Sequence, residues 1–399
     1  MEVDKQPKTF GSQTPTGSYQ YSGVESCKNH RDCQLFFPAF DLRSLIPHDE
    51  ILDASSQKLS PVVKMPLPET KGLSYPKPTL TKTTTTTTKP VCLGSSAGGS
   101  CALLTRTGYK GGDASQQKNQ DRIMMVSPLR DSVGRRYPML LGLFDGHGDD
   151  GHVVSHHCAL RFPQILHQQL GKVVQQQFGN EQEIRKAITN AYVEAERTLP
   201  PNNASGSTGI ILLQVDHKLF VANTGDSLAF VASYQNGKAR LLYRTKEHKP
   251  HLPEERQRIE AAGGTVHIPP AAQGAESSRV IVDVPDGLYI QLALAMSRSI
   301  GDLEASKAGV IVTPTIDVID LSSQQNLFAV AASDGVLDRI DPTAVAQHLG
   351  QTLFGGGGDR SGDRLLGACE QIIMKASELW LKLGLQYRDD ISIAVTRLV

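Results

Sequence analysis

Leu140-Leu141-Gly142-Leu143-Phe144-Asp145-Gly146-His147-Gly148 decides the fold. The run Leu140–Phe144 reads as a short strand that hands over Asp145 at its end, beside small residues. A strand is stiff, so its last residue is placed accurately, and glycines leave room for a ligand. The pattern recurs three times. Leu219–Ala222 leads to Asn223-Thr224-Gly225-Asp226-Ser227, and Phe328–Ala332 leads to Ser333-Asp334-Gly335. Arg388-Asp389-Asp390 opens directly into Ile391-Ser392-Ile393-Ala394-Val395. Carboxylates gathered from several strand ends suit a hard cation such as Mg²⁺ or Mn²⁺.

Working outward, further strand-like runs are Arg122–Val126, Gly209–Val215, Leu228–Ala232 and Arg279–Val284, with Asp216-His217-Lys218 turning a hairpin. Helices lie between them. Asn180 is placed to cap one, with Glu183 three residues on and Ile184, Ala187, Ile188, Ala191, Tyr192 and Ala195 on one stripe. Others span about 152–170, start at Pro253, and span about 363–383 with Gly384 after the end. Adjacent strands joined by tight turns imply antiparallel pairing with helices on the faces, an α+β layered domain over residues 101–399. Residues 1–95, rich in Ser, Thr, Pro, Gln and Lys, bury too little apolar surface to fold alone and are expected to form a low-complexity, largely disordered extension. Its apolar exception is the patch Leu35–Phe40, which is expected to pack on the body or to dock elsewhere.

Forty-one basic and forty-one acidic side chains cancel, which argues against a nucleic-acid or membrane-surface binder. No apolar run reaches the length of a membrane span, and the first residues lack a secretory signal, so cytoplasm or nucleus is expected. The six cysteines form no C-x-x-C pair and read as reduced thiols. None is followed six positions later by arginine, the spacing of a cysteine-dependent phosphatase, and no Walker-type phosphate loop is present.

In order along the chain stand Asn119-Gln120-Asp121, Asp145-Gly146-His147-Gly148, Gly206-Ser207-Thr208-Gly209, Gly225-Asp226-Ser227 and Glu247-His248-Lys249-Pro250. Ser297-Arg298-Ser299-Ile300-Gly301-Asp302, Ser333-Asp334-Gly335-Val336-Leu337-Asp338 and Arg388-Asp389-Asp390 complete the series. The series resembles the metal-dependent type 2C (PPM-type) protein serine/threonine phosphatases, over about residues 101–399. The resemblance implies a four-layer α-β-β-α sandwich, two central antiparallel sheets flanked by helices. It implies two Mg²⁺ or Mn²⁺ ions, with a third weaker site, and hydrolysis of phosphoserine and phosphothreonine in proteins by a water bridging the metals, without a phosphoenzyme. By position, Asp145 is expected to bridge both metals, Gly146 to offer its carbonyl, Asp121 to contribute directly or through water, and Asp334 and Asp389 to hold the other ion. Asp226, Asp334 and Asp338 match the third site, and His147 is placed to protonate the leaving alkoxide. The plainer alternatives stay open: Asp145, Asp334, Asp389 and Asp226 suit turns, Asp338 a helix cap, and His147 a structural bond to a nearby carboxylate.

Animal members of that family carry an arginine five residues before the first aspartate, where it grips phosphate; here the position is Gln116, uncharged and without a fork. Lys118 and Lys110 are nearby candidates to take its place. Asp149-Asp150 after the His motif are expected to start a helix, and Asp390 stands where the family has Asn. The stretch from Gly264 to Leu292 matches the family's flap beside the cleft and is unusually rich in Pro, Ala and Gly. A monomer acting on phosphoprotein substrates is expected; a phosphoprotein-binding module without turnover is the alternative.

Overall fold

The computed structural model describes residues 101–110, 117–173, 180–201, 204–270, 275–284, 290–356, 362–383 and 387–398. The expected extension over residues 1–95, Gln116 and Gly384 lie outside them.

Two antiparallel sheets face each other. One runs Cys101–Arg106, Ile391–Arg397, Leu327–Ala332, Leu228–Gln235, Lys238–Arg244 in spatial order. The other is centred on Met139–His147, flanked by Asp121–Val126 on one side and by Gly209–Val215, Lys218–Thr224 and Thr315–Asp320 on the other. Side-chain alternation along the deciding strand explains its unbroken apolar run. Met139, Leu141 and Leu143 join the cluster between the sheets, while Leu140 and Phe144 join the cluster under the helices. Both faces are dry, so both must be apolar.

Helices Gly151–Gly171 and Glu181–Arg197 cover the second sheet; Pro342–Phe354 and Gly362–Lys382 cover the first. This is the four-layer sandwich the sequence implied. Asn180 caps its helix through Oδ1, which accepts the Gln182 N–H at 2.9 Å. The strands not legible in the sequence include Lys238–Arg244 and Thr315–Asp320, both at sheet edges, where one flank is open and the residues are half polar. Cys101 is disulfide-bonded, against the expectation of reduced thiols, whereas Cys158 and Cys369 are free and buried. Among the described residues no helix is long and apolar enough to cross a membrane.

The flap region is a small sheet in its own right: Thr265–His267, Arg279–Val284 and Ile290–Leu294 pair antiparallel. Ile259 of helix Pro253–Ala261 packs with Val280, Val282, Ala305, Ala308 and Val310 beneath it. Glu255 pins this unit to the body. Its buried carboxylate accepts bonds from Ser297 Oγ (2.6 Å) and the Arg298 guanidinium (Nε, 3.0 Å) and pairs with Arg258 at 2.8 Å. Burial opposes its ionisation, yet these donors overcome that and hold the carboxyl down at about 2. A depressed carboxylate stabilises the fold above its unfolded pKa and loses that contribution as pH falls through the folded value. Glu255→Gln is therefore expected to destabilise by about 3–5 kcal/mol near pH 7. In urea titrations the gap from wild type should close between about pH 4.5 and pH 2; a gap unchanged at pH 2 would contradict this account.

Candidate active site

The strand ends that carry Asp121, Asp145, Asp226, Asp334 and Asp389 lie at one end of the sandwich. Asp121 opens its strand directly opposite Asp145 in the antiparallel register, so the two carboxylates are cross-strand neighbours. Asp334 begins the one-turn helix Asp334–Leu337 after strand Leu327–Ala332, and Asp389 precedes strand Ile391–Arg397, the neighbour of Leu327–Ala332. The Asp334 turn is braced: Trp380 Nε1 donates to the Gly335 carbonyl at 2.8 Å, and Arg339 lies 4.2 Å over the Trp380 ring.

These carboxylates feel one another. Burial first, then the charges of Asp121, Asp334 and Asp389, push Asp145 well above the ordinary carboxylate range. Asp334 is raised by burial, then by Asp389 and Asp226; Asp121 is raised by burial, then by Asp390. Both oxygens of Asp121 and Oδ1 of Asp334 are buried without a hydrogen-bond partner. Orphaned buried carboxylate oxygens among like charges are what a divalent cation satisfies, so the donor set fits Mg²⁺ or Mn²⁺. Among the described residues no three His, Cys, Asp or Glu side chains form a ready ligand group, so the carboxylates converge without closing into a cage.

The backbone around them is tight. Gly146 N–H donates to the Gln120 carbonyl at 3.1 Å, and a Cβ on Gly146 would run into the backbone at Gly151 and Gln120. Thr208 fixes the end of the Asp145 strand from both sides: its N–H donates to the Asp145 carbonyl at 2.8 Å and its Oγ1 accepts the Asp145 N–H at 3.1 Å. Asp149 and Asp150 are exposed at the start of helix Gly151–Gly171.

His147 ends the Asp145 strand with its Nε2 2.6 Å from Asp302 Oδ2. Burial works against a charged imidazole, but the Asp302 charge and hydrogen bond outweigh it and raise the pKa above the ordinary histidine value. Asp226 pairs with Lys249 at 2.7 Å, and Asp338, at the surface one turn after Asp334, faces Arg339 at 3.4 Å. His248, buried and held neutral with its pKa down at about 4 by burial, accepts the Gly225 N–H through Nδ1 and so fixes the Asp226 turn. Lys118 lies 3.3 Å from His152 Nε2, whereas Lys110 reaches into the carboxylate cluster, 3.1 Å from Asp389.

Two contributors had no role assigned from the sequence. Asp302 was visible only as the last letter of a motif. Asp390 stands where the family has Asn, and its oxygens accept the Gly108 N–H at 2.6 Å and the Gln120 N–H at 2.9 Å, tying three segments together.

In this sandwich, carboxylates carried by strands of both sheets meet at one end. Residues 106–372 match the family model described as protein phosphatase 2C. The probable protein phosphatase 2C 72 of Arabidopsis thaliana is 30% identical over 285 residues, covering 69% of this chain and 80% of that one. The probable protein phosphatase 2C 35 of the same plant is 25% identical, covering 74% and 83% respectively. In fold, a serine-threonine phosphatase 2C from Toxoplasma gondii superposes with a TM-score of 0.54 at 18% identity, over 75% of this chain and 95% of that chain. The chain belongs to the protein phosphatase 2C family and is a protein serine/threonine phosphatase.

Proposed function

We propose that this chain hydrolyses phosphoserine and phosphothreonine esters in proteins, with Mg²⁺ or Mn²⁺ held at the Asp121–Asp145–Asp334–Asp389 cluster. The observation that carries the reading is the set of buried carboxylate oxygens left without partners among like charges. Bound there, two ions would supply positive charge against the phosphoryl oxygens and acidify a coordinated water. Asp145, reached by the charges of Asp121, Asp334 and Asp389 alike, is suited to be shared between them. The Gly146 carbonyl and Asp121 would complete one side, and Asp334 and Asp389 the other. Asp226 and Asp338 would serve a weaker third position. His147, two residues from Asp145, would hold a proton for the departing alkoxide, and its contact with Asp302, which would keep the ring in place, supports that role. The three-stranded flap, pinned through Glu255, would decide which phosphoprotein segment reaches the cleft.

The test is phosphate release from a phosphothreonine peptide with millimolar Mn²⁺. Turnover is expected, with complete loss in excess EDTA and recovery on adding Mn²⁺ back. Release that persists in EDTA would overturn the metal reading. No release at any Mn²⁺ concentration from folded protein would favour a binding module instead.

A further inference from the structure

We propose that Lys110 is a tethered competitor for a divalent ion, holding Asp389 closed until a metal displaces its ammonium; this rests on the metal reading above. The carboxylates fall into two sets. Both oxygens of Asp121 and one of Asp334 lack partners. Asp389, by contrast, is engaged on both oxygens. Its Oδ1 faces Lys110 Nζ at 3.1 Å and accepts the Asp390 N–H at 2.9 Å, while Oδ2 accepts the Tyr387 hydroxyl at 2.8 Å.

The ammonium is placed there by the fold. Tyr109 exchanges backbone hydrogen bonds with Arg388, N–H to carbonyl at 2.6 Å and 2.8 Å in the two directions. Gly108 packs so closely on Arg388, Asp389 and Asp390 that a Cβ has no room, and its N–H donates to Asp390 Oδ1. Lys110 N–H donates to Gln117 Oε1 at 2.8 Å, and its Nζ also donates to Gln120 Oε1 at 3.2 Å and stands 3.8 Å from Asp390 Oδ2. Residues 108–110 are thus registered against 388–390 with the ammonium directed onto Asp389.

A single positive charge on a flexible stem is a weaker partner for a carboxylate than a divalent ion, and at 36% side-chain exposure this one can leave. Ion binding should therefore occur in two unequal steps. The first ion meets unpaired oxygens at Asp121 and Asp334. The second must also displace Lys110 from Asp389.

Isothermal titration of the full chain with Mn²⁺, with bound Mn²⁺ counted by electron paramagnetic resonance, tests this. Lys110→Met keeps the stem and removes the charge. It should tighten the second step by about tenfold and change the first by less than about twofold. Lys110→Arg, able to grip Asp389 with a fork, should weaken the second step. Wild type taking one ion where Lys110→Met takes two would support the same conclusion. A second step unchanged or weakened in Lys110→Met, with two ions still bound by both proteins, would overturn the proposal and leave the metal reading standing. Folded protein that binds no Mn²⁺ at millimolar concentration, with or without Lys110, would overturn both.

Discussion

Asp145→Asn is expected to lower phosphatase turnover by about a thousandfold or more while raising the melting temperature of the metal-free protein. The two effects have one cause. Asp145 lies among Asp121, Asp334 and Asp389, and burial plus those charges hold its carboxyl well above the ordinary range. A carboxylate whose folded-state pKa is raised opposes folding at pH above that value, and the penalty disappears below the unfolded pKa. The amide keeps the shape and removes the charge, so relief should be larger at pH 8 than at pH 5. Removing about 1 kcal/mol of such repulsion from a domain of this size corresponds to roughly 2–4 °C. With saturating Mn²⁺ the order should invert, because wild type gains stability from the ions and the variant loses a shared ligand. Calorimetry in EDTA and in Mn²⁺, alongside a phosphopeptide assay, reads all three effects. A metal-free variant that melts below wild type, or one that keeps more than about a tenth of the activity, would contradict the shared-ligand role.

Much of this was legible because strand ends and motifs are local. Leu140–Phe144 followed by Asp145-Gly146-His147 announces both a dry strand and what it delivers. The Asn180 cap and the stripe from Ile184 to Ala195 announce a helix, and the described fold places them so. What stayed hidden depends on partners distant in sequence. Among the described residues, Thr315–Asp320 is an edge strand paired with Lys218–Thr224 alone, so packing does not impose a clean alternation on it. Asp390 reads as a metal-site substitution, yet across more than two hundred residues it anchors the Gly108 and Gln120 amides. Lys110 and Lys118 looked equivalent as replacements for the missing arginine. Only the pairing of Tyr109 with Arg388 separates them, sending Lys110 to Asp389 and leaving Lys118 beside His152.

Asp302 carries the second large expectation, because it touches the proposed acid and not the proposed metals. Its backbone sits in the left-handed region at φ 48°, unusual for a residue other than glycine, with its N–H donating to the Ser205 carbonyl at 3.0 Å. Its Oδ2 accepts from Ser299 Oγ and from His147 Nε2, and a Cβ on Gly206 would collide with that same carboxylate. Strain of this kind persists where the surroundings over-determine a geometry. With Nε2–H directed at Asp302, the opposite nitrogen, Nδ1, is buried without a partner and is the atom that would serve the leaving group in the proposed role. Asp302→Asn keeps a hydrogen-bonding side chain but drops the charge that favours the imidazolium. Turnover of phosphoserine and phosphothreonine peptides, whose alkoxide needs a proton, should fall by about a hundredfold. p-Nitrophenyl phosphate, whose leaving group needs little help, should lose less than about fivefold, with KM nearly unchanged for both. His147→Gln should show the same split, and the double variant should be no worse than either single one. Equal losses on both substrates would reduce Asp302 to a structural support for the Gly206 turn.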